Sequence, residues 1–229
     1  MSDFVATLVS HPDKAALSDA LLSKLAQALP ENAKVIRLDG AIAIDIVFAA
    51  ETAKAAEAAL APVEKILSSK PVDVILQSLA GRRKKLFIAD MDSTMIEQEC
   101  IDELAAELRL KQKVAKITER AMKGELDFAP ALRERVALLK GLDAGVIPKV
   151  ISNRITHTSG ARTLISTLRG HGVYTALVSG GFTLFTEPVS LAIGFDEHRA
   201  NPLEIENGKL TGQVMDPILG REAKKSALI

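Results

Sequence analysis

Leu86-Phe-Ile-Ala-Asp-Met-Asp-Ser-Thr94 is an apolar run that ends in two aspartates and two small hydroxyl residues. Leu86–Ala89 has the length and unbroken apolar character of a strand buried on both faces, the pattern of a parallel sheet. Asp90 and Asp92 then fall at the strand's carboxyl end, where open α/β sheets gather their ligands. Carboxylates at i and i+2 can divide labour. One attacks an electrophilic phosphorus and helps to hold a hard cation; the other manages a leaving group's proton. The same residues also suit a plain polar turn, with Asp92 or Ser93 capping the next helix.

Downstream, helical and extended patterns alternate. Ile96–Leu110 carries apolar residues at helical spacing, and Val114–Met122, Phe128–Leu139 and Val146–Ile151 continue helically. A helical insertion of this kind, at about residues 96–155, predicts a cap over the end of the sheet. Ser159–Arg169 reads as a helix stopped by Gly170-His-Gly172, and Tyr174–Val178 as the next strand, ending in Ser179-Gly180-Gly181. Phe195–Arg199 reads as a short strand, and Asn207-Gly208 joins Leu203–Glu206 to Leu210–Val214 as a hairpin. The alternation predicts an α/β domain with a doubly wound parallel sheet. A hydroxyl and two side-chain-free backbone amides at Ser179-Gly180-Gly181 suit phosphate oxygens at a helix N-terminus, and they equally suit a tight turn that needs glycine.

Residues 1–80 read differently. Phe4–Ser10 is a strand, Lys14–Leu29 a helix stopped by Pro30, and Ala33–Leu38 and Ala41–Phe48 flank the hairpin signal Asp39-Gly40. Alanine-rich Thr52–Leu67 is a second helix and Pro71–Leu76 a fourth strand. The order βαββαβ is that of a ferredoxin-like split unit. Gly81-Arg-Arg-Lys-Lys85 breaks the pattern and reads as a solvated basic linker, which places the boundary between a domain at 1–80 and one at 86–229.

Composition removes whole classes of function. Twenty-nine acids balance 29 bases and aromatics make up 3%, so neither a field for nucleic acid or anionic membrane nor a base-stacking surface is expected. No run reaches the roughly 18 apolar residues of a membrane span, and the start, Met-Ser-Asp-Phe-Val-Ala, lacks the pattern of a signal peptide. The single cysteine, Cys100, excludes an internal disulfide, reads as buried filler and fits a reducing cytoplasm. His11, His157, His171 and His198 show no metal-ligand spacing.

Asp90-Met-Asp-Ser-Thr94 resembles the first motif of the haloacid dehalogenase superfamily of aspartyl-phosphate enzymes, and Val178-Ser-Gly-Gly-Phe182 resembles its second. Lys224, in Arg221-Glu-Ala-Lys-Lys225, stands where the third would be, with Lys225 an immediate rival. Met122-Lys-Gly-Glu-Leu-Asp-Phe128 and Arg133-Glu-Arg-Val-Ala-Leu-Leu139 resemble the substrate-binding cap of the superfamily's phosphoserine phosphatases, and the likeness runs from Leu86 to Ile229. It implies a Mg²⁺-dependent phosphatase acting on O-phosphoserine. Asp90 would be the nucleophile, Asp92 the acid and base, and both would serve the metal. Ser179, Gly180, Gly181 and Lys224 would bind the phosphate. Glu99 would meet the substrate's ammonium group and Arg135 its carboxylate, with Glu97 and Arg133 two residues away as rivals. Met122 and Phe128 would give apolar cover. Residues 1–80 resemble an amino-acid-binding regulatory module of the ACT type, a plain dimerisation or spacer module being the alternative, and a homodimer is among the expected assemblies.

The superfamily's fourth motif, Gly-Asp-Gly-x-Asn-Asp, supplies a further Mg²⁺ carboxylate and does not occur before Ile229. The expectation is therefore a domain cut short, with an incomplete sheet, weak Mg²⁺ binding and little or no activity. Two other readings stay open: a phosphatase for another small phosphomonoester, and a non-catalytic amino-acid sensor.

Overall fold

A computed structural model describes residues 1–220 and Lys225. The chain divides into two compact units, Met1–Lys84 and Lys85–Ile229.

In the first unit, β1 (Ser2–Ser10), β2 (Lys34–Asp39), β3 (Ala43–Ala50) and β4 (Val72–Ser78) form a sheet of order β2-β3-β1-β4. Every neighbouring pair in it is antiparallel. Helices α1 (Asp19–Ala26) and α2 (Ala53–Leu67) follow β1 and β3. Alternation puts Phe4, Ala6, Leu8, Ile44, Ile46 and Phe48 on one face, packed with Leu21, Leu25, Leu60 and Val63 of the helices. Each such fully buried large side chain contributes roughly 1.5–3 kcal/mol. The helix expected from Lys14 begins instead at Asp19. Pro12–Lys14 forms a 3₁₀ turn, and the Ser18 hydroxyl accepts from Leu21 N–H, fixing the start of α1.

The opposite face carries a correction to the linker reading. Asp45 is 5% exposed, yet it points away from the helices, beside Thr7 of β1. Arg82 does not wave in solvent: its guanidinium pairs with both oxygens of Asp45 and donates to Thr7 Oγ1 at 2.9 Å. A carboxylate buried on a sheet needs such a partner, and Arg82 of the linker supplies it.

The second unit holds a parallel sheet of order β5-β6-β7, from β5 (Leu86–Ala89), β6 (Tyr174–Phe182) and β7 (Glu197–Asn201). Four helices of the cap region follow β5 in the chain: α3 (Cys100–Glu107), α4 (Lys111–Met122), α5 (Phe128–Ala137) and α6 (Val146–Arg154). Then come α7 (Ala161–Gly170) before β6, α8 (Thr183–Ile193) after it, and a hairpin of β8 (Leu203–Glu206) and β9 (Lys209–Val214). The hairpin turns through Asn207 and Gly208, both at positive φ, as an Asn-Gly turn requires. The core joins Ala89, Met91, Leu104, Leu177, Phe182 and Phe185. Among the described residues, no helix is long and apolar enough to cross a membrane.

The helix expected from Ile96 starts four residues later. The Met91 carbonyl accepts from the N–H groups of Thr94, Met95 and Ile96, which winds the chain into a tight turn. Ile96 then bridges His157, and Glu97 N–H donates to Thr156 O, so the two passages between sheet and cap run side by side.

Candidate active site

The ends of β5 and β6 build the site. Ala89 is in register with Leu177, so Asp90 follows β5 beside the point where β6 becomes irregular. Val178 pairs with Arg199 and Phe182 with Asn201; Ser179, Gly180 and Gly181 therefore oppose one residue, Ala200. The bulge turns their backbone out of the ladder. These three residues close β6, whereas the sequence suggested a turn after a shorter strand. Ser179 is 2% exposed and its Oγ accepts from Gly181 N–H at 2.9 Å. Its own proton stays available to a phosphate oxygen.

Both glycines are required by close approach. A Cβ on Gly181 would sit 2.7 Å from Asp92 Oδ2, and one on Gly180 would sit 2.7 Å from Phe128 Cζ.

Asp90 Oδ1 accepts from Met91 N–H at 2.9 Å. Asp92 Oδ1 accepts from Cys100 N–H, the first residue of α3, at 3.0 Å. The capping reading of Asp92 and the chemical one thus coexist in one carboxylate. Burial raises the Asp92 pKa; the Cys100 hydrogen bonds oppose this, while the negative charges of Glu99 and Asp90 add to it. A carboxyl so placed takes and returns a proton more readily than an exposed aspartate. Glu99 accepts from Ser93 Oγ at 2.6 Å, and Ser93 holds φ +51° to reach it. Cys100 is buried, and burial drives its thiol pKa far up, so it stays a neutral thiol.

The cap contributes one face of α5. Phe128, Leu132 and Arg135 recur at helical spacing and line the same pocket. Arg135 Nε donates to Ala131 O at 3.2 Å and Nη1 to Thr118 Oγ1 at 3.4 Å. Burial lowers its pKa, and the charges of Glu99, Asp102 and Asp92 oppose that shift.

A pocket of about 320 Å³ gathers Asp90, Asp92, Glu99, Phe128, Arg135, Ser179, Gly180 and Gly181. Ile101, Leu132, Phe182 and Gly220 complete its lining; Leu132 was legible as the α5 residue between Phe128 and Arg135 and Phe182 as the end of the Val178–Phe182 motif, whereas Ile101 and Gly220 carried no signal. Met122 lies elsewhere. It ends α4, is 84% exposed and does not line the pocket, because the chain turns at Gly124 before Phe128 enters α5. Of the rivals, Glu97 is exposed and outside the lining, and Arg133 pairs with Asp216 at 2.6 Å. Lys224 lies outside the described residues; Lys225 is exposed.

Three carboxylates and one guanidinium face this space among the described residues. Such a lining repels a phosphate dianion until a cation enters. Asp90 and Asp92 are hard oxygen donors of the kind Mg²⁺ takes, one or two at a time alongside phosphate and water. Among the described residues, no cluster of three or more His, Cys, Asp or Glu is arranged around a metal position.

Comparison with known proteins bears on the chemistry. The profile of the haloacid dehalogenase-like hydrolases matches residues 87–228. A phosphoserine phosphatase of Archaeoglobus fulgidus is 46% identical over 155 residues, 67% of this chain and 45% of that protein. A HAD family hydrolase from Salmonella enterica serovar Typhi superposes with a TM-score of 0.81 at 26% identity, over 100% of this chain and 77% of that one. A structure described as a phospho-aspartyl intermediate analogue of phosphoserine phosphatase superposes with a TM-score of 0.59 at 42% identity, over 64% of this chain and 70% of that one. The chain spans about half the length of the first curated relatives it matches, 45%, 54% and 40% of them.

Proposed function

The chain belongs to the haloacid dehalogenase-like hydrolases, and from that premise we propose that it hydrolyses O-phosphoserine to serine and phosphate through an aspartyl-phosphate on Asp90. The observation that carries the reading is one pocket in which two strand-end carboxylates, the Ser179–Gly181 bulge, Glu99 and Arg135 converge. Phosphatases of known substrate among the relatives support the same choice.

In the first half-reaction an Asp90 oxygen forms a bond to phosphorus as the bond from phosphorus to the serine oxygen breaks. Asp92 gives its proton to that leaving oxygen, a task its raised pKa favours. In the second, water attacks phosphorus, Asp92 takes a proton from it, and the phosphorus–Asp90 bond breaks to release phosphate. Ser179 Oγ–H and the Gly180 N–H bind the equatorial oxygens, while the Gly181 N–H holds Ser179 Oγ in place. Glu99 binds the substrate's ammonium and Arg135 its carboxylate. Phe128 lies over Gly180 and Gly220 and keeps bulk water from the reacting atoms. Asp90 and Asp92 would hold Mg²⁺, whose charge offsets the repulsion between carboxylate and phosphate.

The test is phosphate release from O-phosphoserine, phosphoethanolamine and glycerol phosphate in Mg²⁺ buffer. The reading expects the highest kcat/KM for phosphoserine. Equal values for all three would favour the broader reading, a phosphatase of small phosphomonoesters, over this one.

The first unit we read as a ferredoxin-like module of ACT type that binds a free amino acid, serine first, and joins two copies of the chain. Its βαββαβ order supports the module, and β2, an edge strand with Val35, Ile36 and Leu38 all exposed, supports self-association. Calorimetry with serine and sedimentation with and without it test both parts. A cytoplasmic setting suits the small charged substrate and the free thiol of Cys100.

A further inference from the structure

Asn201, the last residue of β7, is wholly buried, and none of the chemistry above uses it. Its amide makes three hydrogen bonds to two segments. Nδ2 donates to Gly180 O at 2.9 Å and to Leu219 O at 3.2 Å, and Oδ1 accepts from Leu219 N–H at 2.7 Å. Turning the amide over would set carbonyl against carbonyl at two contacts and N–H against N–H at the third, so the network fixes its orientation.

The bulge explains the need. Between Val178 and Phe182 the ladder to β7 is interrupted, which leaves the Gly180 carbonyl without a place in it. A buried carbonyl must find a partner, and Asn201 Nδ2 supplies one. The second segment is Leu219-Gly220, and Gly220 lines the pocket. Both glycines lie under the same cap ring: a Cβ on Gly180 would sit 2.7 Å from Phe128 Cζ, and one on Gly220 3.1 Å from Phe128 Cδ1. One side chain therefore ties two floor segments together beneath Phe128 and sets the angle at which the Ser179–Gly181 backbone faces the phosphate.

We propose that Asn201 is a positioning residue for phosphoryl transfer: it acts through Gly180 to hold the phosphate-facing bulge, and through Leu219 to hold Gly220 against the cap. The proposal rests on the phosphatase reading above. Asparagine is the residue the site demands, because two donors and one acceptor must leave one planar group. Aspartate keeps the size and the bond from Leu219 N–H but loses both donors. Serine keeps one short hydroxyl and leaves room for water.

The test compares the full chain with Asn201→Ser and Asn201→Asp in Mg²⁺ buffer. It measures kcat and KM for phosphoserine, orthovanadate affinity by calorimetry, and thermal melting. A misplacement of about 1 Å costs on the order of 100-fold in rate. The expected result is a kcat at least about tenfold lower with KM changed less than about threefold, and vanadate bound more weakly by a similar factor to the loss in kcat, in protein that still melts cooperatively. Wild-type kcat and vanadate affinity in folded variants would overturn the proposal. So would a loss of activity no larger than the unfolded fraction, or the failure of both variants to fold, either of which makes Asn201 scaffolding alone. If the unaltered chain does not turn over phosphoserine, the phosphatase reading falls by itself, and the vanadate comparison still reads the effect of Asn201.

Discussion

Gly181→Ala adds one methyl group at the place where the ends of β5 and β6 come closest. The new Cβ would lie 2.7 Å from Asp92 Oδ2, 3.1 Å from Ser179 Oγ and 3.6 Å from Met91 Cε. Ordinary carbon–oxygen contacts begin near 3.4 Å, so about 0.7 Å must be found. Gly181 is not among the residues at positive φ, so alanine meets no backbone strain there. The strain falls on Asp92. That carboxylate cannot simply swing aside, because Oδ1 is held by Cys100 N–H at 3.0 Å. Rotation gives up that bond, worth about 1 kcal/mol net, and carries the proton donor away from the leaving oxygen. The expected stability loss is therefore about 1–2 kcal/mol, a few degrees in Tm for a chain of this size. The expected loss in kcat is on the order of 100-fold, because a displacement approaching 1 Å in a reacting group has that effect. Phosphate release under saturating phosphoserine, beside a thermal melt, measures both. A folded Gly181→Ala protein with wild-type kcat would show that Asp92 Oδ2 does not act where the structure puts it.

Arg135→Ala should weaken turnover of phosphoserine roughly ten- to a hundredfold more than turnover of phosphoethanolamine, since a charged hydrogen bond is worth about 1.5–3 kcal/mol. Competition kinetics with the two substrates measures the difference, and equal losses would give Arg135 a structural or phosphate-binding role. In the first unit, Arg82→Ala should cost more than Asp45→Ala. Loss of the arginine strands a carboxylate that is only 7% exposed in its side chain, whereas loss of the aspartate frees a guanidinium already 27% exposed to turn outward. Urea unfolding should place the Arg82 variant up to about 3 kcal/mol below the parent; the reverse order would mean that the pair is not what covers Asp45.

Much of this architecture is written in local signals. Leu86–Ala89 had the apolar run of a doubly covered strand; the structure pairs it with β6 over its full length, but among the described residues it ends the sheet, with Ala89 buried and the other three half-buried. Phe128 and Arg135 fell in a helix seven residues apart, and two turns of α5 bring them to one pocket. The misses have physical causes. Helical spacing of apolar residues continued back to Ile96, but the Met91 carbonyl gathers three N–H groups and Asp92 holds Cys100 N–H, so tertiary hydrogen bonds delay α3. Arg82 looked like one charge among several in a linker, because its partner Asp45 is 37 residues away in sequence. Asn201 carried no motif at all. Its role comes from a bulge in the neighbouring strand, and no spacing along the chain announces a carbonyl that has lost its ladder partner. Met122 was read from its likeness to a cap segment, whereas the turn at Gly124 decides which side of the chain meets the pocket.

The central claim is that Asp90 becomes covalently phosphorylated by phosphoserine. An acyl phosphate is reduced by borohydride to an alcohol, so a chain quenched with borohydride during turnover should carry homoserine at position 90, found by peptide mass mapping. That product is expected only when phosphoserine and Mg²⁺ are both present, and none in Asp90→Asn. Phosphate release with residue 90 unmodified, or with homoserine at Asp92 instead, would contradict it.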